Sequence, residues 1–223
     1  MTTSATLPSA TARGWPATAR LAAGGLAGFA LASVAAGLAD PGYDPVREGI
    51  SALAATNSPS ASVMIAGFLA LAGGTIAAGV GIWSRLRVGI AGRVGAALVV
   101  LAGVGMVVAG FARQDCSDFT GACAAAEQAG TLSDHHVLHQ LVSLLVFTLL
   151  AVAAFVLARG LRRSGAWAHL AVPSTLVGVA GIVFTALLVA VGFGVAAGLV
   201  QRLWVLVVFG WPVVLAAAAG RAS

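Results

Sequence analysis

A chain of 223 residues in which 60% are hydrophobic and 9% charged is too apolar for a soluble domain, where charged residues average roughly 25%; it belongs in a lipid bilayer. The net charge of +5 comes wholly from arginine, because the sequence contains no lysine. Those arginines are dispersed rather than gathered into a basic surface, which excludes a nucleic-acid partner.

A hydropathy window of about 19 residues predicts spans near 18–39, 61–83, 91–111, 135–158, 170–192 and 199–219. Each approaches the roughly 20 residues that cross the hydrocarbon, and none alternates polar with apolar as barrel strands do. The predicted fold is all-α, a polytopic transmembrane helix bundle of about six spans in one domain, residues 1–223. Residues 1–15 are expected to be a short disordered cytoplasmic segment. The first apolar run is read as a retained span rather than a cleaved signal, since its removal would leave an odd number of spans. Gly24 with Gly28, and Gly194 with Gly198, have the small-xxx-small spacing that lets helices approach closely.

After the first span comes "DPGYDPVREGISALAATNSPSA". "DPVREGISAL" is expected to be a short interfacial helix with Pro45 at its start and Tyr43 anchoring it at headgroup depth. Arg47, Glu48 and Ser51 would either roof a pocket or simply be solvated. "SRLRVG" separates the second span from the third, which closes on "FARQDC". The loop beyond holds both cysteines, Cys116 and Cys123, expected to form a disulfide in an oxidising compartment; a metal pair is the alternative.

The fourth span opens with "GTLSDHHVLHQLVSLLVF". Ser133 is a plausible N-cap, and His135 and His139, four residues apart, share one helical face. They could present two nitrogens to a zinc ion, with Asp134, Asp115 or Asp118 completing three protein ligands and leaving one position open. His136 points off that face. "RGLRRSG" and "GFGVAAG" separate the remaining spans, and "GLVQRLWVLVVFGW" places Arg202 inside the last, where a charge needs a partner. The expected partner is an outer carboxylate such as Asp115, with snorkelling to the interface as the alternative.

Arg13, Arg20, Arg85, Arg87, Arg93, Arg159, Arg162, Arg163 and Arg221 fall on one side of a six-span arrangement, which the positive-inside bias assigns to the cytoplasm with both termini. The acidic residues and His135, His136 and His139 fall on the other. The expected site is a bacterial inner or plasma membrane, with the lipid bilayer as partner and the polar chemistry outside.

"YDPVREGISAL", "FARQDC", "HQLVSLLVF" and "GLVQRLWVLVVFGW", in that order, resemble the bacterial membrane family called domain of unknown function 998. The matching positions are Ile50, Ser51 and Leu53; Asp115; His139; and Gln201, Arg202 and Trp211. The resemblance implies a multi-span membrane fold and no established activity. The cysteine pair, His135 and His136 depart from the family's usual pattern.

Two functions follow as expectations. In the favoured one the chain is a non-catalytic membrane protein with an accessory, envelope or small-solute role, and Asp115, His139 and Arg202 form a buried tie between spans. The alternative is an extracytoplasmic hydrolase or transferase acting on a lipid or lipid-linked substrate. His139 would be general base or metal ligand, Asp115 its partner and Ser51 a positioning hydroxyl, with Arg202, Gln201 and Arg47 holding substrate.

Overall fold

A computed structural model describes residues 15–117, 121–191 and 196–221, and every regular element among them is helical. In chain order these are α1 (Ala17–Ala39), α2 (Ala61–Arg85), α3 (Gly89–Phe111), α4 (Gly121–Gln128), α5 (Asp134–Arg162), α6 (Ala171–Val191) and α7 (Ala197–Arg221), with 3₁₀ turns at Ile50–Ala54 and Ala168–Leu170. Six helices are long and apolar enough to cross a membrane, because in lipid a backbone must satisfy its own hydrogen bonds. The chain is a multi-pass membrane protein. The predicted spans match these helices closely; the largest difference is at the end of α5, 158 against Arg162. Arg13, Asp118 and Gly194, named above, lie outside the described residues.

α1 packs on α2, α2 on α3, α3 on α5 and α5 on α6, while α7 reaches back against α1, α2, α5 and α6. Trp204 of α7 is fully buried. Its indole stacks on Phe147 of α5 with centroids 3.8 Å apart, and Phe184 of α6 lies 6.1 Å away. Helix α7 also contains Pro212, tolerated in a span because neighbouring helices and local adjustment re-satisfy the freed backbone.

Small residues set the α1–α2 distance, but not the expected pair. Gly24 faces open space, and the close approach runs through Gly25, where an added Cβ would lie 2.7 Å from the Cα of Gly74. Gly28 is looser, its Cβ position 3.3 Å from that of Ala70. Spacing alone does not say which face of a glycine-rich helix is the contact face.

Helix alternation sorts the connections into two ends. One, the basic end, carries Arg85, Arg87, Arg93, Arg159, Arg162 and Arg163; the other, the histidine end, carries residues 40–60, the loop after α3, the start of α5 and the start of α7. The expected interfacial α-helix over "DPVREGISAL" is instead a turn followed by the 3₁₀ turn. The Asp44 carboxylate accepts from the main-chain nitrogens of Val46 and Arg47, and extended Gly49 (φ −64°, ψ 153°) breaks the helical path before Ile50.

Candidate functional site at the histidine end

Ser133 is the N-cap of α5: its Oγ accepts from the main-chain nitrogen of His136 at 3.3 Å. Its own donors go to Asp115, the nitrogen to Oδ2 at 2.6 Å and the hydroxyl to Oδ1 at 2.8 Å. These two hydrogen bonds hold the Asp115 carboxyl below the usual carboxylate range, since both favour the charged form. The main-chain nitrogen of Asp115 in turn donates to Nδ1 of His136 at 3.1 Å. The loop after α3 is thereby stitched to the first turn of α5.

One turn further on, His139 is buried and its Nδ1 lies 2.9 Å from the carbonyl oxygen of Ala109 and 2.8 Å from that of Ala112. Both partners only accept, so Nδ1 carries the proton. The imidazole serves the carbonyls at the end of α3, which have no partner within their own helix. Phe68 of α2 meets the same ring edge-on at 6.1 Å.

Arg202 belongs to a second group. Its Nη1 donates to the carbonyl oxygens of Pro45 at 2.7 Å, Glu48 at 3.4 Å and Gly198 at 2.9 Å, and its Nη2 donates to the Tyr43 hydroxyl. That hydroxyl donates to the carbonyls of Glu48 and Gly49, each at 3.1 Å, and burial pushes the phenol above its ordinary pKa. Beside it, Gln201 Oε1 accepts from Ile50 N at 2.6 Å. Gly198 allows the crossing: a Cβ there would collide with the carbonyls of Glu48 and Pro45, the latter at 2.6 Å. At the far end of the 3₁₀ turn, Arg113 donates from Nε to the Ala54 carbonyl at 3.0 Å and from Nη2 to that of Ala55 at 2.7 Å. The segment after α1 is thus a roof strapped at one end by α7 and at the other by the chain just beyond α3.

The expected tie of Asp115, His139 and Arg202 is therefore divided. Asp115 and His139 brace the junction of α3 with α5, whereas Arg202 binds roof carbonyls and a phenol rather than Asp115. The Asp115 carboxylate is engaged by the N-cap serine of α5, and carbonyls of the roof serve the guanidinium instead. Among the described residues the expected zinc ligands do not converge either. Asp134 and His135 are exposed at the start of α5, while His136 and His139 face inward; the buried stripe at the helix entrance follows i, i+3 rather than i, i+4. Instead, among the described residues, the ligand atoms of Cys116, Cys123 and His136 lie within 4.8 Å of one another, with the two sulfurs joined as a disulfide. Arg47 is exposed and pairs with Asp44 at 3.6 Å. Ser51 is half-buried in the roof, and among the described residues it makes no hydrogen bond to His139 or Asp115.

Sequence reasoning undervalued Tyr43, Arg113 and His136. Arg113 did carry a signal: with Arg47 and Arg202 it is one of three arginines on the side that the charge bias disfavours. Ser174 of α6 was also missed; it is fully buried and accepts from Trp211 Nε1 at 3.1 Å. A polar recess of about 260 Å³ opens beside the roof, bordered by Asp40, Tyr43, Glu48, Ser58 and Ser117, below the roughly 300–1,000 Å³ of small-molecule pockets.

Six apolar spans capped by side chains that bind main-chain groups define a polytopic helical membrane protein. The chain belongs to the family described as protein of unknown function (DUF998), whose model matches residues 10–218. No curated protein and no solved structure matches it.

Proposed function

We propose that this chain is a non-catalytic multi-pass protein of a bacterial inner or plasma membrane, with an accessory, envelope or small-solute role. Its basic end and termini lie in the cytoplasm and its histidine end outside, a reading supported by the arginine asymmetry. One observation carries the non-catalytic part: the polar groups expected to do chemistry are engaged in holding segments of the chain together. Both carboxylate oxygens of Asp115 hold Ser133, the Nδ1 proton of His139 serves two carbonyls, and Arg202 holds the roof. The reading calls for no metal.

The test is complementation of a deletion strain with Ser51→Ala, His139→Gln and Asp115→Asn, alongside thermal unfolding of each purified variant. For a non-catalytic protein, loss of the biological effect follows loss of stability. A Ser51→Ala or His139→Gln protein that unfolds like the parent yet fails to complement overturns the reading in favour of a hydrolase or transferase.

A further inference from the structure

We propose that a recess between α3 and α5 at the basic end binds an anionic phospholipid, with Arg87, Arg159 and Arg163 holding its phosphodiester headgroup. The recess has a volume of about 770 Å³, and its border combines these three arginines with Val94 of α3 and Val156 of α5. Arg159 in the last turn of α5 and Arg163 at its C-cap are four residues apart with helical backbone, so they fall on one side of the helix end; Arg87 approaches from the α2–α3 connection. That connection is held against α5 by close packing. At Gly160 an added Cβ would lie 3.0 Å from the carbonyl oxygen of Val88, and Gly89 takes φ +74° to turn the chain into α3.

The three guanidinium groups make no hydrogen bond or ion pair among the described residues, and no described acidic side chain lies at their end of the bundle. The six described acidic side chains, Asp40, Asp44, Glu48, Asp115, Glu127 and Asp134, occur in the segments at the histidine end. Three exposed arginines bordering one recess, with no described acidic side chain at that end, favour an anion there, and basic pockets between spans are a known form of headgroup site. A lipid fits better than free phosphate because of the wall below the arginines. Ile90 and Val94 are exposed, 81% and 45%, and continue the recess down α3 as an apolar surface suited to an acyl chain. The positive-inside bias accounts for arginines at this end, but not for three of them around one cavity. The inference does not depend on the non-catalytic reading.

The experiment is native mass spectrometry of the detergent-solubilised protein with an equal mixture of phosphatidylglycerol and phosphatidylcholine. The parent is expected to retain phosphatidylglycerol preferentially. Near a membrane surface each arginine contributes about a factor of five in affinity, so Arg159→Gln with Arg163→Gln should weaken retention by roughly thirtyfold. Arg162→Gln removes the same charge from the same helix end without touching the recess and should retain the lipid as the parent does. Equal retention of the two lipids by the parent, undiminished retention by the double variant, or equal loss in Arg162→Gln overturns the proposal. So does displacement of phosphatidylglycerol by millimolar inorganic phosphate, which would mark a free-phosphate site. Should the double variant fail to fold in phosphatidylcholine, Arg87→Gln, on the opposite wall, gives the same test.

Discussion

Asp115 and Ser133 clasp the two ends of the loop that carries the disulfide, through donors 2.6 and 2.8 Å from the two carboxylate oxygens. Ser133→Ala removes a hydrogen bond to a charged acceptor and the N-cap of α5 together. The expected loss is about 1.5–3 kcal/mol, read from unfolding in detergent. Unchanged stability would mean that the main-chain nitrogen alone maintains the clasp.

The same pair sets an acid limit. Asp115 has a folded-state pKa below its unfolded value, so its contribution is complete above the ordinary carboxylate range near pH 4 and is lost as pH falls through the lower folded value. Melting temperature should therefore fall more steeply below about pH 4 in the parent than in Asp115→Asn, while this group adds no slope between about pH 5 and 8. Parallel acid profiles for the two proteins would remove Asp115 from the pH response.

Arg202 and Tyr43 should behave as a unit. Arg202→Ala and Tyr43→Phe share one hydrogen bond and the same roof carbonyls, so their combined cost should depart from the sum by about 0.5–3 kcal/mol. Arg202→Ala with Asp115→Asn, which share no partner, should add within about 0.5 kcal/mol. The two double-mutant cycles together decide whether the roof and the α3–α5 brace are separate; coupling in the second would rejoin them.

The Cys116–Cys123 disulfide closes a short loop, the cysteines being seven residues apart. Protein purified without reductant should show no alkylation of either thiol, and opening the bridge should cost roughly 2–3 kcal/mol by loop-closure entropy. Since the described chain has no free cysteine, single cysteines introduced at exposed Asn57 and Gly165 can report topology. An impermeant reagent should reach only Asn57→Cys in whole cells; labelling of Gly165→Cys alone would invert the orientation.

Gly25 and Gly24 offer a direct contrast in packing. Gly25→Ala places a methyl group against Gly74 and the Ala70 carbonyl, whereas Gly24→Ala meets nothing within 4 Å. The first should cost about 1–3 kcal/mol as overpacking and the second should leave the melting temperature near that of the parent. Equal effects would place the helix contact elsewhere.

The spans were legible because their signal is long and uniform: some twenty uncharged residues mark a helix whatever surrounds it. The N-cap at Ser133 was legible for a local reason, since the bond it makes closes within three residues. What failed was direction. His135 and His139 satisfy the i, i+4 rule, yet the rule is silent on which stripe of α5 meets α3, and the inward pair is His136 and His139. Arg202 was recognised as a charge needing a partner, but carbonyls of an irregular segment answer that need as well as a carboxylate, and hydropathy carries no trace of them. The inferred lipid recess lay beyond sequence reading for the same reason, because Arg87 and Arg163 become neighbours only when α3 packs on α5.

The place of α7 has a consequence for how the protein is made. Ribosomes deliver it after the other five spans, yet it supplies Trp204 to Phe147 and Phe184 and the residues that strap the roof, Gln201 and Arg202. A nascent chain that has released everything through α6 holds an open slot along α1, α2 and α5, beneath a roof strapped only at its Arg113 end. During that interval lipid tails or an insertion factor must occupy the slot, and the arrival of one tryptophan-bearing helix converts a loose palisade into a closed body.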